Sequence, residues 1–423
     1  MPRMRHVSGH EALNPHEPTE SSSQDRARVL YIHHAADISG ATLSLLFLLR
    51  RLDRRRYEPI VACLYEGPAA QAFREEGIET LVEGRIDHFD HTAGAWFSLR
   101  RPDVLLRKIL HFPRSVRYTE RLVRALQPDL VHLNSTVLPA SALGAHRAGV
   151  PVVWHIREPL HPGYLGLRRA IMRQMIHRWA DRVIAICRSN AAPLIADERV
   201  RVVPNFVDLT EFRPEIDGGP TRRQLGLDPS APVILMLGGV SIIKGTLPLV
   251  QTMPRVRQRL PDAHLLIAGP VPALTPGLRG RLSRLQSYYR QILLFIAQHG
   301  LVQHVHLLGM RRDVPQLIAA ADVVAFPSVV PHFARPILEA GAMAKPVVAS
   351  DLDGPNEMTR PGKNGLLVPP NDLAALAEAL IGILTDPDRA REMGRIGRQR
   401  ARERYSAERN VRDTLAIYEE LLG

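Results

Sequence analysis

Phe326-Pro327-Ser328-Val329-Val330-Pro331-His332-Phe333-Ala334-Arg335-Pro336-Ile337-Leu338-Glu339-Ala340, followed after Gly341-Ala342-Met343-Ala344 by Lys345-Pro346-Val347-Val348-Ala349-Ser350, is the stretch that decides the fold. The apolar run 323–326 predicts a strand that stops at Pro327. A loop follows, and the apolar spacing over 336–344 predicts a helix. Pro336 suits a first helical turn, where its missing N–H has no partner to lose. Residues 347–350 predict a second strand. Strand, loop, helix and strand make a βαβ unit, hence a parallel pair with a crossover. The loop leaves the amides of Phe333, Ala334 and Arg335 at a helix N-terminus, an arrangement that holds a diphosphate. Glu339 is expected in the first helical turn, where a carboxylate accepts two vicinal hydroxyls such as those of a ribose.

The same alternation extends outward through the chain. In the first half, candidate strands at 28–33, 59–65, 130–133, 152–155, 182–186 and 201–203 alternate with helix-like stretches at 42–52, 69–76, 141–148 and 165–180. Residues 204–220 contain Pro204, Pro214, Gly218, Gly219 and Pro220 and read as a linker. The pattern then restarts, with strands at 233–237, 264–268, 305–307 and 366–368 and helices at 246–259, 314–320 and 373–384. The expectation is an α/β chain of two Rossmann-like units with parallel sheets, 26–208 and 209–423. The terminal helices from Arg389 to Leu422 are assigned to the second unit, and a ligand cleft lies between the C-terminal ends of the sheets. Residues 1–25 read as a disordered tail, and 270–300 as an insertion carrying a helix over 282–296.

Composition agrees. A chain of 423 residues exceeds one ordinary core, and 45% hydrophobic with only 5% aromatic content suits aliphatic parallel sheets. Cys63 and Cys187, the two cysteines, lie in strand-like runs, as expected of reduced core thiols in a cytoplasmic setting. No secretory signal and no membrane-spanning apolar run is visible. Positive charge is carried almost wholly by arginine; the lysines are Lys108, Lys244, Lys345 and Lys363. Lys244 stands just before Gly245 in the strand-to-helix loop that starts Gly238-Gly239, where a compact ammonium suits a phosphate.

Gly354-Pro355-Asn356-Glu357 and Asn364-Gly365-Leu366-Leu367-Val368-Pro369-Pro370 follow the opening stretch. The first half adds Ile38-Ser39-Gly40-Ala41 and Val203-Pro204-Asn205-Phe206-Val207-Asp208. Together these resemble the family-four, retaining glycosyltransferases of the GT-B fold over nearly all of 28–400. The resemblance implies two facing Rossmann-like domains, a nucleotide-sugar donor as substrate, and a lipid-linked or glycan acceptor of the kind used in polysaccharide biosynthesis. It implies that Gly40 lets its loop approach the donor diphosphate, His155 lines the sugar pocket, Lys244 neutralises the leaving diphosphate and Glu339 binds the ribose. His155, Lys244 and Glu339 form the expected catalytic set. Asn205, Gly238, Gly239, Gly245, Gly269, Phe333, Ala334 and Arg335 join Gly40, Lys244 and Glu339 in the donor-binding set. No cofactor and no metal is expected: Asp351-Leu352-Asp353 reads as a polar turn before Gly354.

Two positions depart from the family pattern. Pro331 stands where a glutamate usually contacts the donor sugar, eight positions before Glu339, and Gly239 where an arginine usually stands, five before Lys244. Arg335, at the start of the phosphate-facing helix, is the expected replacement cation, with His332 as the other candidate. A catalytically silent nucleotide-sugar-binding protein and a nucleotide-sugar epimerase remain the alternative readings. The net charge is +12, and residues 26–208 hold 27 basic against 18 acidic side chains. The basic run 100–124 reads either as a solvated helix face or as a patch for an anionic membrane surface or acidic acceptor. Nucleic acid is not expected, since aromatic residues do not interleave the basic ones. The basic stretch 167–179 is expected to cover the first sheet.

Overall fold

The computed structural model describes residues 26–89, 102–194, 197–277 and 283–423. The expected tail, residues 100 and 101 of the basic run and 278–282 of the insertion lie outside the described residues. Two parallel sheets are present. The first contains β1 (Ala27–His33), β2 (Tyr57–Cys63), β3 (Glu79–Val82), β4 (Leu130–Leu133), β5 (Val152–Ile156), β6 (Arg182–Ala185) and β7 (Val200–Val202), in the order β3-β2-β1-β4-β5-β6-β7. The second contains β8 (Val233–Leu237), β9 (His264–Ala268), β10 (Val305–Gly309), β11 (Val323–Phe326), β12 (Val347–Ser350) and β13 (Gly365–Val368), in the order β10-β9-β8-β11-β12-β13.

Each sheet is covered on both faces, and this is why its central strands read as unbroken apolar runs. Along β1, Leu30 and Ile32 enter one core while Val29 and Tyr31 enter the core on the opposite face. Along β8, Val233, Leu235 and Leu237 point to one side and Ile234 and Met236 to the other. Alternate side chains of a strand must face opposite ways, so a run buried throughout needs helices on both sides. Met172 and Ile176 of the helix Leu167–Trp179 supply part of that cover, as the sequence suggested. β3 was not foreseen. It is an edge strand with exposed or half-buried side chains, and so lacks an apolar run.

The chain passes from the first unit to the second near residue 207 and returns near 405: Val207 N donates to Tyr405 O at 2.9 Å. The return corrects the expected grouping of the terminal helices. The helix Ala407–Leu422 packs on the first sheet, where Val411, Ile417 and Tyr418 join the core of Val29 and Tyr31. Its apolar stripe is spaced for any sheet, so sequence order alone assigned it to the wrong partner.

Candidate active site

Strand order reverses between β1 and β4 in the first sheet and between β8 and β11 in the second. Loops leaving neighbouring strands in opposite directions open a crevice at such points. These two crevices bring the candidate residues together.

On the first side, the helix Gly40–Arg50 starts straight after the β1 loop. Ser39 caps it, accepting from Thr42 N while Thr42 Oγ1 bonds back to Ser39 N, so the Gly40 turn is fixed. Gly40 faces the other unit: a Cβ built there would lie 3.6 Å from Cδ of Arg335. Arg335 Nη1 donates to Ser44 Oγ at 3.3 Å, and Ser44 Oγ donates to Asn205 Oδ1 at 3.3 Å. The same Asn205 oxygen accepts from Arg157 Nη1 at 3.0 Å, and Arg157 Nε donates to Asn134 Oδ1 at 2.8 Å. Asn134 in turn reaches His33 Nδ1 at 2.9 Å. Two arginines from different units are thereby linked through Ser44 and Asn205. Burial lowers the Arg157 pKa to about 10; Glu158 works against this and Arg335 adds to it. Arg157 was missed in the sequence. Its only local signal is a charged pair, Arg157-Glu158, directly after a fully buried strand.

On the second side, the helix Arg335–Ala342 begins one residue earlier than expected, and no side chain caps its N-terminus. Pro336 has no N–H and Ile337 N donates to Ala334 O at 3.0 Å, so of the first helical turn only the Arg335 amide is left for a ligand. Glu339 falls in the second turn rather than the first, one turn beyond Arg335. Its carboxylate lies 3.4 Å from Arg335 Nε, the two side chains being 13% and 16% exposed. Burial raises the Glu339 pKa, opposed by Arg335 and Lys244. Burial likewise lowers that of Lys244, with Glu339 opposing.

The lysine loop is built from backbone contacts that exclude Cβ atoms. Gly245 has φ +75°, and a Cβ there would come within 1.9 Å of Pro327 O. Gly238 lets the Lys244 stem lie across it. Thr246 Oγ1 closes the loop through Gly239 O (2.8 Å) and Ser241 N (3.0 Å). Ser328 Oγ ties it to the next loop through Ile243 O at 2.9 Å. Gly239 and Gly269 press backbone against backbone. With φ +66°, a Cβ on Gly239 would sit 2.2 Å from Pro270 O, so the position expected of an arginine has no room for a side chain. Arg335 lies against Gly40 and Glu339. Phe333 and Ala334 lead into its helix, Ala334 fully buried. Pro331 is exposed, and Asp351 and Asp353 lie in an exposed turn.

His155 ends a chain of hydrogen bonds through the first unit. Its Nδ1 meets His132 Nε2 at 3.2 Å, His132 Nδ1 meets Tyr418 OH at 2.6 Å, and Tyr418 OH donates to Tyr31 OH at 3.3 Å. With Tyr418 donating to Tyr31, His132 carries its proton on Nδ1 and His155 on its own Nδ1. The His155 Nε2 keeps a lone pair and is buried without a hydrogen-bond partner. His332 is similar. Its Nδ1 can only donate to Val330 O (3.0 Å), which leaves its Nε2 as a buried, unpartnered acceptor. Burial pushes His33 and His132 down to about 3, and Arg157 adds to the effect. Both stay neutral in the fold while the unfolded chain protonates them near pH 6.5. Their stabilising contribution is therefore complete above 6.5 and is lost as pH falls towards 3, by about 1.4 kcal/mol per pH unit for each residue. Urea unfolding between pH 7.5 and 4.5 should show this decline, and His132→Gln should flatten it. An equal slope in that variant would contradict the assignment.

With the site described, similarity to known proteins decides the family. Residues 38–211 match the model described as Glycosyltransferase Family 4, and residues 231–386 match Glycosyl transferases group 1. A D-inositol 3-phosphate glycosyltransferase of Jonesia denitrificans is 30% identical over 348 residues, covering 78% of this chain and 80% of that protein. This chain belongs to the family-four glycosyltransferases. The UDP-Gal:alpha-D-GlcNAc-diphosphoundecaprenol alpha-1,3-galactosyltransferase of Escherichia coli is 24% identical over 384 residues, 86% of this chain and 90% of that one. Among solved structures, Anabaena HepE, crystallised with UDP, aligns with a TM-score of 0.75 at 23% identity, covering 93% of this chain and all of that one. The likeness fits the GT-B architecture of two facing parallel sheets. The family-four member described here is thus an enzyme that uses a nucleotide-sugar donor.

Proposed function

We propose that the enzyme transfers a sugar, with retention of configuration, from a nucleoside diphosphate sugar to a lipid-linked or glycan acceptor at an anionic membrane surface. One observation carries the reading of the donor site. Lys244 and Arg335 flank Glu339 at an uncapped helix N-terminus, and Arg157 approaches from the other unit. In this reading the amides of Phe333, Ala334 and Arg335 and the three cations hold the diphosphate, and Glu339 accepts the ribose hydroxyls. The C1–O bond breaks with its electron pair passing to the diphosphate oxygen, whose growing charge Lys244 and the arginines stabilise. The acceptor hydroxyl attacks from the same face and gives its proton to that departing oxygen. No metal or cofactor is assigned a part, because the cations supply the neutralisation. The lone pairs on His155 Nε2 and His332 Nε2 supply hydrogen-bond acceptors for sugar hydroxyls, the latter one residue from the glutamate that Pro331 replaces.

The membrane part rests on the helix Pro102–Leu126. Leu106, Ile109 and Leu110 are 58%, 59% and 66% exposed, and Arg107, Arg114, Arg117 and Arg121 of the same helix are also exposed. Apolar side chains ringed by arginines suit the boundary of an anionic bilayer. No helix among the described residues is long and apolar enough to cross a membrane. The E. coli relative is named for a lipid-diphosphate-linked acceptor, and HepE was crystallised with UDP. The test supplies UDP-sugars and an undecaprenyl-diphosphate-linked sugar in vesicles with and without phosphatidylglycerol. Transfer that retains anomeric configuration and is accelerated by the anionic lipid is expected, with Leu110→Glu removing the acceleration. An inverted product, or rates indifferent to lipid charge, would refute the corresponding part.

A further inference from the structure

Beside the two chain crossings lies a cavity of about 590 Å³ that shares no lining residue with the donor cleft. Arginines from both sides of the hinge line it. Arg188 starts the helix Arg188–Ala191 on the first unit. Arg360 follows the helix Pro355–Met358 on the second, Arg400 and Arg404 end the helix Pro387–Arg404, and Arg409 lies in the returning helix. Against these five arginines the lining holds two carboxylates. Glu357 accepts the backbone amides of Arg188 (2.7 Å) and Ser189 (2.8 Å), and Asp413 is shared between Arg409 and Arg412. Among the described residues no carboxylate pairs with Arg188, Arg360, Arg400 or Arg404.

Arg400 is the deciding residue. It is only 7% exposed. Its Nη2 donates to Glu357 O at 3.1 Å, but its Nε and Nη1 are buried without a hydrogen-bond partner. Burial lowers its pKa; Tyr405 opposes the shift, and Arg360 and Arg404 add to it. A guanidinium keeps its proton under such conditions, so a buried one left without an anion is a standing cost to the fold. An anion in the adjoining cavity would offset that cost. The cavity volume is that of a small-molecule site.

We propose that this hinge pocket is a second anion site, which takes a small soluble ligand carrying two or more phosphate groups. One group offsets the buried charge of Arg400. Another lies between Arg188 of the first unit and Arg360 or Arg404 of the second. Because both units hold the ligand, its binding fixes the angle between them and so alters donor affinity, and donor binding alters its affinity by the same factor.

The probe is inorganic pyrophosphate, titrated calorimetrically into the full chain. The donor cleft also fits a diphosphate, so the decisive background is Lys244→Ala with Arg335→Ala, which disables that cleft. Wild type should bind two equivalents and the background variant one. Adding Arg360→Ala and Arg404→Ala, both at exposed positions, should weaken the remaining site at least tenfold. Arg54→Ala with Arg55→Ala, in an exposed turn away from the pocket, should change it less than twofold. Arg360→Ala with Arg404→Ala in an otherwise wild-type chain should still bind a nucleotide sugar, which verifies the fold. Loss of all pyrophosphate binding in the background variant would overturn the proposal. So would indifference to the pocket arginines, or equal weakening by the distant pair. Inorganic phosphate binding as tightly as pyrophosphate would overturn the requirement for two groups. Failure of the donor reading would appear separately, as a wild-type chain that binds no nucleotide sugar.

Discussion

Lys244→Met is expected to lower kcat by about 100- to 1,000-fold, the usual cost of removing one group aimed at charge that develops in a transition state. The Michaelis constant for the donor should change much less, because the diphosphate gains negative charge only as the glycosidic bond breaks. Stability should hold or rise. Burial disfavours the Lys244 ammonium, so folding at neutral pH bears a cost that methionine removes. A variant with kcat within a factor of two of wild type would show that Lys244 is not at the leaving group. A variant that loses both activity and stability would show that the loop 238–246, rather than the charge, is what the lysine maintains.

Arg335→Ala should weaken donor binding by about 10- to 100-fold, the cost of removing a charged hydrogen-bond donor from a half-enclosed site. It also strips Glu339 of its nearest cation, at 3.4 Å, so the carboxylate should protonate at higher pH than in wild type and donor binding should fall off sooner on acidification. Gly239→Arg, which restores the residue type usual in the family, should not rescue Arg335→Ala. A Cβ there meets Pro270 O at 2.2 Å in a backbone conformation that side chains avoid, so the substitution should destabilise the second unit by more than about 2 kcal/mol. Rescue by Gly239→Arg would mean that 238–239 and 269–270 separate more easily than their packing implies. Donor binding in Arg335→Ala equal to that in Arg121→Ala would remove Arg335 from the donor site.

Much of the second unit was legible because its information is local. The strands at 233–237, 264–268, 323–326 and 347–350 end where the apolar runs end, since a parallel strand buried on both faces admits few polar residues. Lys244 and Glu339 were placed from similar local signals, the loop before Gly245 and the helix that Pro336 opens, although Glu339 falls one turn later than expected. What escaped depends on residues far apart in sequence. Arg157 gains its place only when the strand order sets β5 beside β4, and Asn205 bridges it to Ser44 from the domain junction. Tyr418 reaches His132 across 286 positions, and nothing near either residue announces the other. The basic run after residue 102 was visible as charge, but its burial of Lys108 against Asp87 and exposure of Leu110 required the helix to be placed.

The central claim is that the cleft between the two units holds a nucleoside diphosphate sugar through Glu339 and the cations beside it. The most direct test is a thermal-shift series of the full chain against UDP-, GDP- and ADP-sugars and the free diphosphates, run in parallel on Glu339→Ala. Ligand at a hundred times its Kd stabilises the native state by about 2.7 kcal/mol. The account predicts a rise in melting temperature with one nucleotide family, largely lost in Glu339→Ala. An equal rise in both proteins, or none with any nucleotide, would contradict it.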